Sequence, residues 1–284
     1  MSLGIVVPAF RPDVDALSTY VRDIDSAIAP DTIRIELDEP DPAVTASLAE
    51  LPATVNAVPR RRGKGAAVTA GFEALDTDVL AFVDADGATP VASVASVVDP
   101  VRLGEAPVAV GSRRHPESRV AAHQGHLRRL LGDGFAWLAR RLVGGYGARL
   151  YDYQCGAKAL SADVWRAVRD HLREPGFAWD LELLAVAGAS GFAVREVPIA
   201  WEDKPGSTVA PVRDTVSMFA GLVRARHRAG VVAGSRFHAS IDRNPGASLV
   251  EQHASAATDA AADDATTDAT DPGIDRPPDA RGRR

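Results

Sequence analysis

The stretch Leu80–Pro90, LAFVDADGATP, decides how the rest of the chain reads. An apolar run stops at two aspartates one residue apart, followed by glycine, alanine and threonine. Two chemistries begin this way. In one, the carboxylates hold a divalent metal against a nucleoside diphosphate, because Mg2+ and Mn2+ prefer hard oxygen ligands. In the other, the first aspartate attacks a phosphate and the second moves the proton. Residues i and i+2 of an extended segment point the same way, so under the metal reading Asp84 and Asp86 reach one ion and the ribose or diphosphate beside it. A plainer reading leaves two solvated aspartates at a helix N-terminus.

Outward from this stretch, short strands alternate with helices. GIVVPAF (4–10) is a nearly continuous apolar run, as expected of a strand buried on both faces. DVDALSTYVRDIDSAI (13–28) follows, with Val14, Leu17, Val21, Ile24 and Ile28 at helical spacing. IRIEL (33–37), TVNAV (54–58), VLAFVD (79–84) and PVAVGS (107–112) read as further strands, and GKGAAVTAGFEAL (63–75) as a helix entered through glycines. The pattern predicts a mostly parallel α/β sheet flanked by helices. Such sheets bind ligands beyond the carboxyl ends of their strands, which is where Pro8, Asp38, Pro59 and Asp84 fall. Beyond Arg113 the sequence predicts a long helix at 126–145, a turn into a strand at 152–160 and helices around 163–172 and 177–191. A strand over 192–201 and a last helix over 212–230 complete the series. Residues 1–235 read as one domain. From 241 to 284 the chain is rich in Ala, Asp, Thr and Pro, and is expected to be a disordered acidic tail.

Composition narrows the function classes. A net charge of −6 and a pI of about 5.7 argue against nucleic acid as a partner. The single cysteine, Cys155, excludes an intramolecular disulfide framework and a thiolate metal cluster, and is expected to be a buried filler. A reducing cytosolic setting is the expectation. The first ten residues lack a basic n-region and a cleavage site, and no uncharged run is long enough to span a membrane. Lysine is rare: only Lys64, Lys158 and Lys204 occur, so each invites a question about its role.

The nucleophile reading is that of the haloacid-dehalogenase phosphatases, whose strand ends in Asp-x-Asp-Gly-Thr. Here Thr89 falls one residue late, and three strands precede a motif that normally opens that fold. The surrounding blocks point elsewhere. VVPAF, RGKGAAVTAGFEA, FVDADGAT, VAVGSRRHPES, DYQCGAKAL, FAWDLELLAVA and REVPIAWEDKPGSTV resemble, in order and from about Ile5 to about Arg228, the family 2 glycosyltransferases of the GT-A fold. Within these the chain looks most like the dolichyl-phosphate β-glucosyltransferase and polyprenyl-phosphate hexose synthase branch. Ala88 supports that subgroup, since the related mannosyl synthases often carry Gln there.

The resemblance implies a Rossmann-like GT-A domain that moves a hexose, glucose by preference, from a nucleotide sugar to dolichyl or polyprenyl phosphate with inversion. It implies Mg2+ or Mn2+ on Asp84 and Asp86, with Asp86 catalytic. Donor contacts are expected from Pro8, Ala9, Asp38, Lys64 and Asp84. The usual acidic block after the first strand is RPD here, leaving Asp13 in its place, and the second-strand block is LDEPD, without the Gly-Ser turn. Those two blocks bear on which base is bound; UDP is the expected nucleotide in preference to GDP. Asp152, Gln154 and Lys158 are expected to line the sugar and acceptor region. Asp180 occupies the place where many members keep a catalytic acid, with Glu182 two residues on. Either would serve as base for a sugar or protein hydroxyl, an alternative acceptor; a lipid phosphate, largely dianionic at neutral pH, needs none. A degenerate member that only binds nucleotide sugar is a further alternative.

Arginine binds phosphate through a bidentate fork, so Arg113 and Arg128 are assigned catalytic roles, and Arg114 and Arg119 acceptor binding. Lys204, Ser207 and Thr208 lie in a loop resembling one near the family's active site. The Arg-rich amphipathic stretches after Arg113 and over 212–240 suggest peripheral attachment at the cytoplasmic face of the membrane, against anionic lipid.

Overall fold

The computed structural model describes residues 1–121, 126–146, 149–202, 211–242 and 246–268. The first half alternates as the sequence predicts. Strand β1 (Leu3–Phe10) leads into α1 (Val14–Ile28), β2 (Thr32–Asp38), α2 (Pro42–Leu48) and β3 (Thr54–Val58). Then come α3 (Lys64–Glu73), β4 (Val79–Val83), α4 (Val91–Arg102) and β5 (Val108–Ser112). The second half holds β6 (Arg119–Ala121), α5 (His126–Leu142), β7 (Ala157–Ser161), α6 (Ala162–Val168) and α7 (Trp179–Ala189). It continues through β8 (Val194–Pro198), β9 (Ala200–Glu202), α8 (Pro211–Val232), α9 (Arg236–Ile241) and α10 (Leu249–Asp268).

Seven strands form the main sheet in the order β3-β2-β1-β4-β7-β5-β8. All neighbours are parallel except β7, which runs antiparallel to both β4 and β5. The alternation of side chains explains the apolar runs. Along β1, Ile5 and Val7 face the core beneath α1 and α4, while Val6 faces the core formed with α3, α5, α6, α7 and α8. Both faces are buried, so neither is polar. Strand order reverses between β1 and β4, and the carboxyl ends there define the crevice in which open α/β sheets bind ligands.

Two expectations change. The segment 192–201 is two strands: β8 stays in the main sheet, and the chain turns at Ile199 so that β9 pairs with β6 in a separate ribbon. The crossing is at Ile199, whose amide still donates to the Ser112 carbonyl at the end of β5 while its carbonyl accepts the Arg119 amide at the start of β6. Past residue 235, α9 folds back on α8 through a ring contact between His227 and His238. Finally, part of the expected tail is a docked helix. Ser248 and Glu251 form a reciprocal capping box at the start of α10. The Leu249 amide donates to the Leu172 carbonyl, and its side chain is 3% exposed. The alanine-rich run that lowers hydrophobic content also favours helix. Leu249→Ala should accordingly cost about 2–3 kcal/mol, read as a lower midpoint in chemical denaturation. Residues 269–284 lie outside those described.

Candidate functional site

Loops at the carboxyl ends of β1, β2, β4 and β5 enclose a cleft lined by Pro8, Ala9, Asp38, Lys64, Asp84, Asp86, Arg113, Gln154 and Asp180, among others. Its floor is the end of β4. Asp84 donates its amide to the Gly156 carbonyl, which fixes the strand end against the start of β7. Asp86 turns back and accepts the Ala88 amide at 3.0 Å, and Gly87, at φ +64°, makes that turn possible. Asp84 is the more open, with 40% of its side chain accessible. Burial raises the Asp86 pKa and the negative charge of Asp84 raises it further. Two carboxylates facing one cleft are a donor set that suits a hard divalent cation. No cluster of three or more His, Cys, Asp or Glu occurs among the described residues. An ion here would complete its shell with phosphate oxygens and water.

Two of the three lysines meet behind this floor. Lys64 Nζ lies 2.9 Å from Asp84 Oδ1 and 2.9 Å from Asp180 Oδ2. Lys158 Nζ lies 2.6 Å from Asp180 Oδ1 and donates to the Cys155 carbonyl. Both ammonium groups sit over the Phe82 ring. Burial by itself would raise the Asp180 pKa, but the charges of Lys158 and Lys64 outweigh it and hold the carboxyl below its ordinary value. For Lys64, burial opposes the charge, and Asp180 with Asp84 more than restores it. Asp180 is thus a bridge that keeps a cation aimed at Asp84, and a weakened base.

A second buried pair stands on the other wall. Arg113 grips Asp152 with Nε at 2.7 Å and Nη2 at 3.0 Å, while its ring neighbour Trp201 also lines the cleft. Burial pushes the Asp152 pKa up, but the Arg113 charge and hydrogen bonds, with the Gln154 amide, bring it well below the carboxylate range. Because the folded value is below the unfolded one, the pair's stabilisation is complete above about pH 4 and fades as pH falls through the folded value. Asp152→Asn should lower the melting temperature at pH 7 by on the order of 10 °C and flatten its decline between pH 5 and pH 2. A series of thermal melts across pH checks both.

The remaining sequence assignments divide. Pro8 and Ala9 line the cleft, and Gln154 reaches it beside a contact to Met218. Asp38 is at the cleft, but its carboxylate accepts the Arg62 and Gly63 amides and Arg62 Nε, so it builds the β3–α3 loop. Asp13 lines the cleft while capping α1 through the Ala16 amide. Asp152 and Lys158 are 2% and 1% exposed and act through Arg113 and Asp180, which corrects their placement as acceptor-lining groups. Arg114 is directed to Asp133 on α5 and Arg119 sits in the β6–β9 ribbon; neither lines the cleft, since β5 ends at Ser112 and the chain turns away. Arg128 falls in α5, with its side chain outside those described, as are Lys204, Ser207 and Thr208. Glu182 is buried and faces the segment before α7. Cys155 is fully buried, and burial with the Asp152 charge pushes its thiol up to about 12, so it is inert filler.

Sequence reasoning missed three supports. Arg62 ties Asp38 to the buried Glu36; the basic run RRRGKG was its only trace. Phe10 carries Arg61 and Arg11 over its ring at 4.1 and 5.0 Å at the cleft edge. Gly156 is the third: a Cβ there would fall 1.8 Å from Asp84 Oδ2.

Residues 41–148 match the family model for glycosyl transferase family 2. The glycosyltransferase AglD of Haloferax volcanii is 36% identical over 164 residues, covering 58% of this chain and 26% of that one. The dolichyl-phosphate beta-glucosyltransferase of Saccharomyces cerevisiae is 30% identical over 179 residues, covering 59% of this chain and 52% of that one. The chain thus spans about half the length, or less, of these curated relatives. Among solved structures, mannosyl-3-phosphoglycerate synthase from Rubrobacter xylanophilus matches with a TM-score of 0.59 at 17% identity, over 82% of this chain and 75% of that one. Glucosyl-3-phosphoglycerate synthase from Mycobacterium tuberculosis, in complex with Mn2+, uridine diphosphate and glucosyl-3-phosphoglycerate, matches with a TM-score of 0.56 at 17% identity, over 82% and 80%. At this identity the likeness shows the fold, which is GT-A.

Proposed function

We propose that this chain, which carries a family 2 glycosyltransferase domain, moves a hexose from a nucleoside diphosphate to a polyprenyl phosphate of the dolichyl type, inverting the anomeric carbon. The observation that carries the reading is the pair Asp84 and Asp86 at the end of β4, facing the same cleft as Lys64 and Arg113. A Mg2+ or Mn2+ ion held by the two aspartates would neutralise charge growing on the departing diphosphate. Lys64, held by Asp180, supplies a fixed positive charge beside it. Arg113, oriented by Asp152, presents a guanidinium whose Nη1 is not engaged by that carboxylate, suited to a phosphate oxygen. The relative from yeast, named for dolichyl phosphate and glucose, supports lipid phosphate as acceptor and glucose as the hexose. UDP is the favoured nucleotide, as in the mycobacterial structure.

The state of Asp180 supports a phosphate acceptor over a hydroxyl. A hydroxyl needs a free general base, and Asp180 is committed to two lysines. A phosphate monoester, with its second pKa near 6, attacks without one. Among the described residues no helix is long and apolar enough to cross a membrane. Exposed Trp137 on α5 and Phe219 and Val223 on α8 support attachment to a membrane surface, which in this reading is the cytoplasmic face. Co-sedimentation with anionic vesicles at low salt tests that attachment; protein left wholly in the supernatant contradicts it.

Incubation with labelled UDP- or GDP-hexose, Mn2+ and dolichyl phosphate tests the reaction. Label extracted into organic solvent is the expected result. Label confined to aqueous products would replace the lipid acceptor with a soluble one, and no transfer alongside tight nucleotide binding would reduce the chain to a binding module.

A further inference from the structure

The first turn of α7 carries two buried carboxylates, and only Asp180 lines the cleft. Glu182, 3% exposed, faces the opposite way. Its Oε2 accepts the Arg173 amide at 2.7 Å and the Glu174 amide at 2.8 Å. Oε1 lies 3.8 Å from Arg228 Nε on α8. These bonds fix the segment Leu172–Ala178, which runs directly against the turn that starts α3. The Pro175 carbonyl accepts the Ala66 amide at 3.1 Å. A Cβ at Gly63 would come within 2.6 Å of the Pro175 oxygen, and one at Gly65 within 2.4 Å of the Glu174 oxygen. The turn bearing Lys64 therefore rests on the backbone that Glu182 holds, while Asp180 holds the Lys64 side chain.

We infer that Glu182 is a positioning residue for the Lys64 turn, setting through the Arg173–Pro175 backbone where the Lys64 ammonium meets the diphosphate. The two carboxylates of α7 grip the same turn by separate routes, one by its side chain and one by its backbone. A buried carboxylate spent on two backbone amides outside the cleft otherwise has no task there. The link to diphosphate rests on the transferase reading above; the mechanical coupling between the two segments does not.

The test compares full-length wild type with Glu182→Ala, Glu182→Asp and Glu182→Gln. Amide hydrogen exchange is followed over residues 62–68 and 172–178, and UDP affinity with Mn2+ is measured by calorimetry. Glu182→Ala is expected to speed exchange in both segments about tenfold, with the rest of the sheet unchanged, and to weaken UDP binding about tenfold. Glu182→Gln, which keeps an acceptor oxygen, should stay within about twofold of wild type. If Glu182→Ala gives no cooperative melt, Glu182→Asp carries the comparison, since it keeps the charge but withdraws it by one methylene. Faster exchange spread evenly over the sheet, or no change at 62–68 in either variant, overturns the inference. A wild type that binds no UDP would sink the transferase reading, and the exchange data would still decide the coupling.

Discussion

Gly156→Ala is expected to lower transfer at least about 100-fold while leaving a folded protein. The added methyl would lie 1.8 Å from Asp84 Oδ2 and 2.1 Å from its Cγ, so the carboxylate must move. It cannot move freely: its amide is bonded to the Gly156 carbonyl and Oδ1 is held by Lys64. The displacement therefore disorganises Asp84 and Lys64 together. Asp84 is partly open to solvent, so the side chain has somewhere to go and the cost in stability should be modest. Steady-state rates beside a melting curve separate the two effects. Transfer within a few fold of wild type would mean that the observed position of Asp84 is not the working one.

The largest loss of stability is expected from Asp180→Ala. That change leaves Lys158, whose side chain is fully buried, with only the Cys155 carbonyl, and releases Lys64 from one of its two carboxylates. Removing one partner of a buried ion pair costs about 3–5 kcal/mol, because the other charge stays behind unpaired. Lys158→Met should cost less, since Asp180 keeps Lys64 and the new side chain fills the space beside Phe82. Denaturant midpoints of the two variants check the order. Equal losses would show that the three charges are not coupled as the distances imply. Asp180→Ala should also cost activity, as Lys64 loses its tether.

Much of the fold was legible because burial on both faces writes itself into composition. Runs such as GIVVPAF and VLAFVD are apolar at every face-bearing position, and their alternation with helices forces a parallel sheet with its site at the carboxyl ends. The antiparallel insertion of β7 was not legible, because a buried strand reads the same in either direction. Helix α4 passed unremarked, with Pro100 inside it; the docked α10 was hidden by its low content of branched apolar residues. The site divides similarly. Asp84, Asp86 and Lys64 sit at strand and helix ends, where local pattern reports position. Arg114 and Arg119 could be placed only by following the chain after β5, which turns toward α5 and the β9 ribbon. Lys158 and Asp152 looked like ligand contacts from their motif. Their burial, invisible in one sequence, makes them the partners of Asp180 and Arg113 instead.

The most direct test of the central claim is the initial rate of labelled hexose transfer by Asp86→Ala against wild type, with Mn2+ present and after its removal by EDTA. If Asp84 and Asp86 hold the metal and donor diphosphate, the variant should lose at least about 100-fold in rate, and chelated wild type should fall to the same level. Full transfer by Asp86→Ala, or a wild-type rate indifferent to EDTA, would contradict the account.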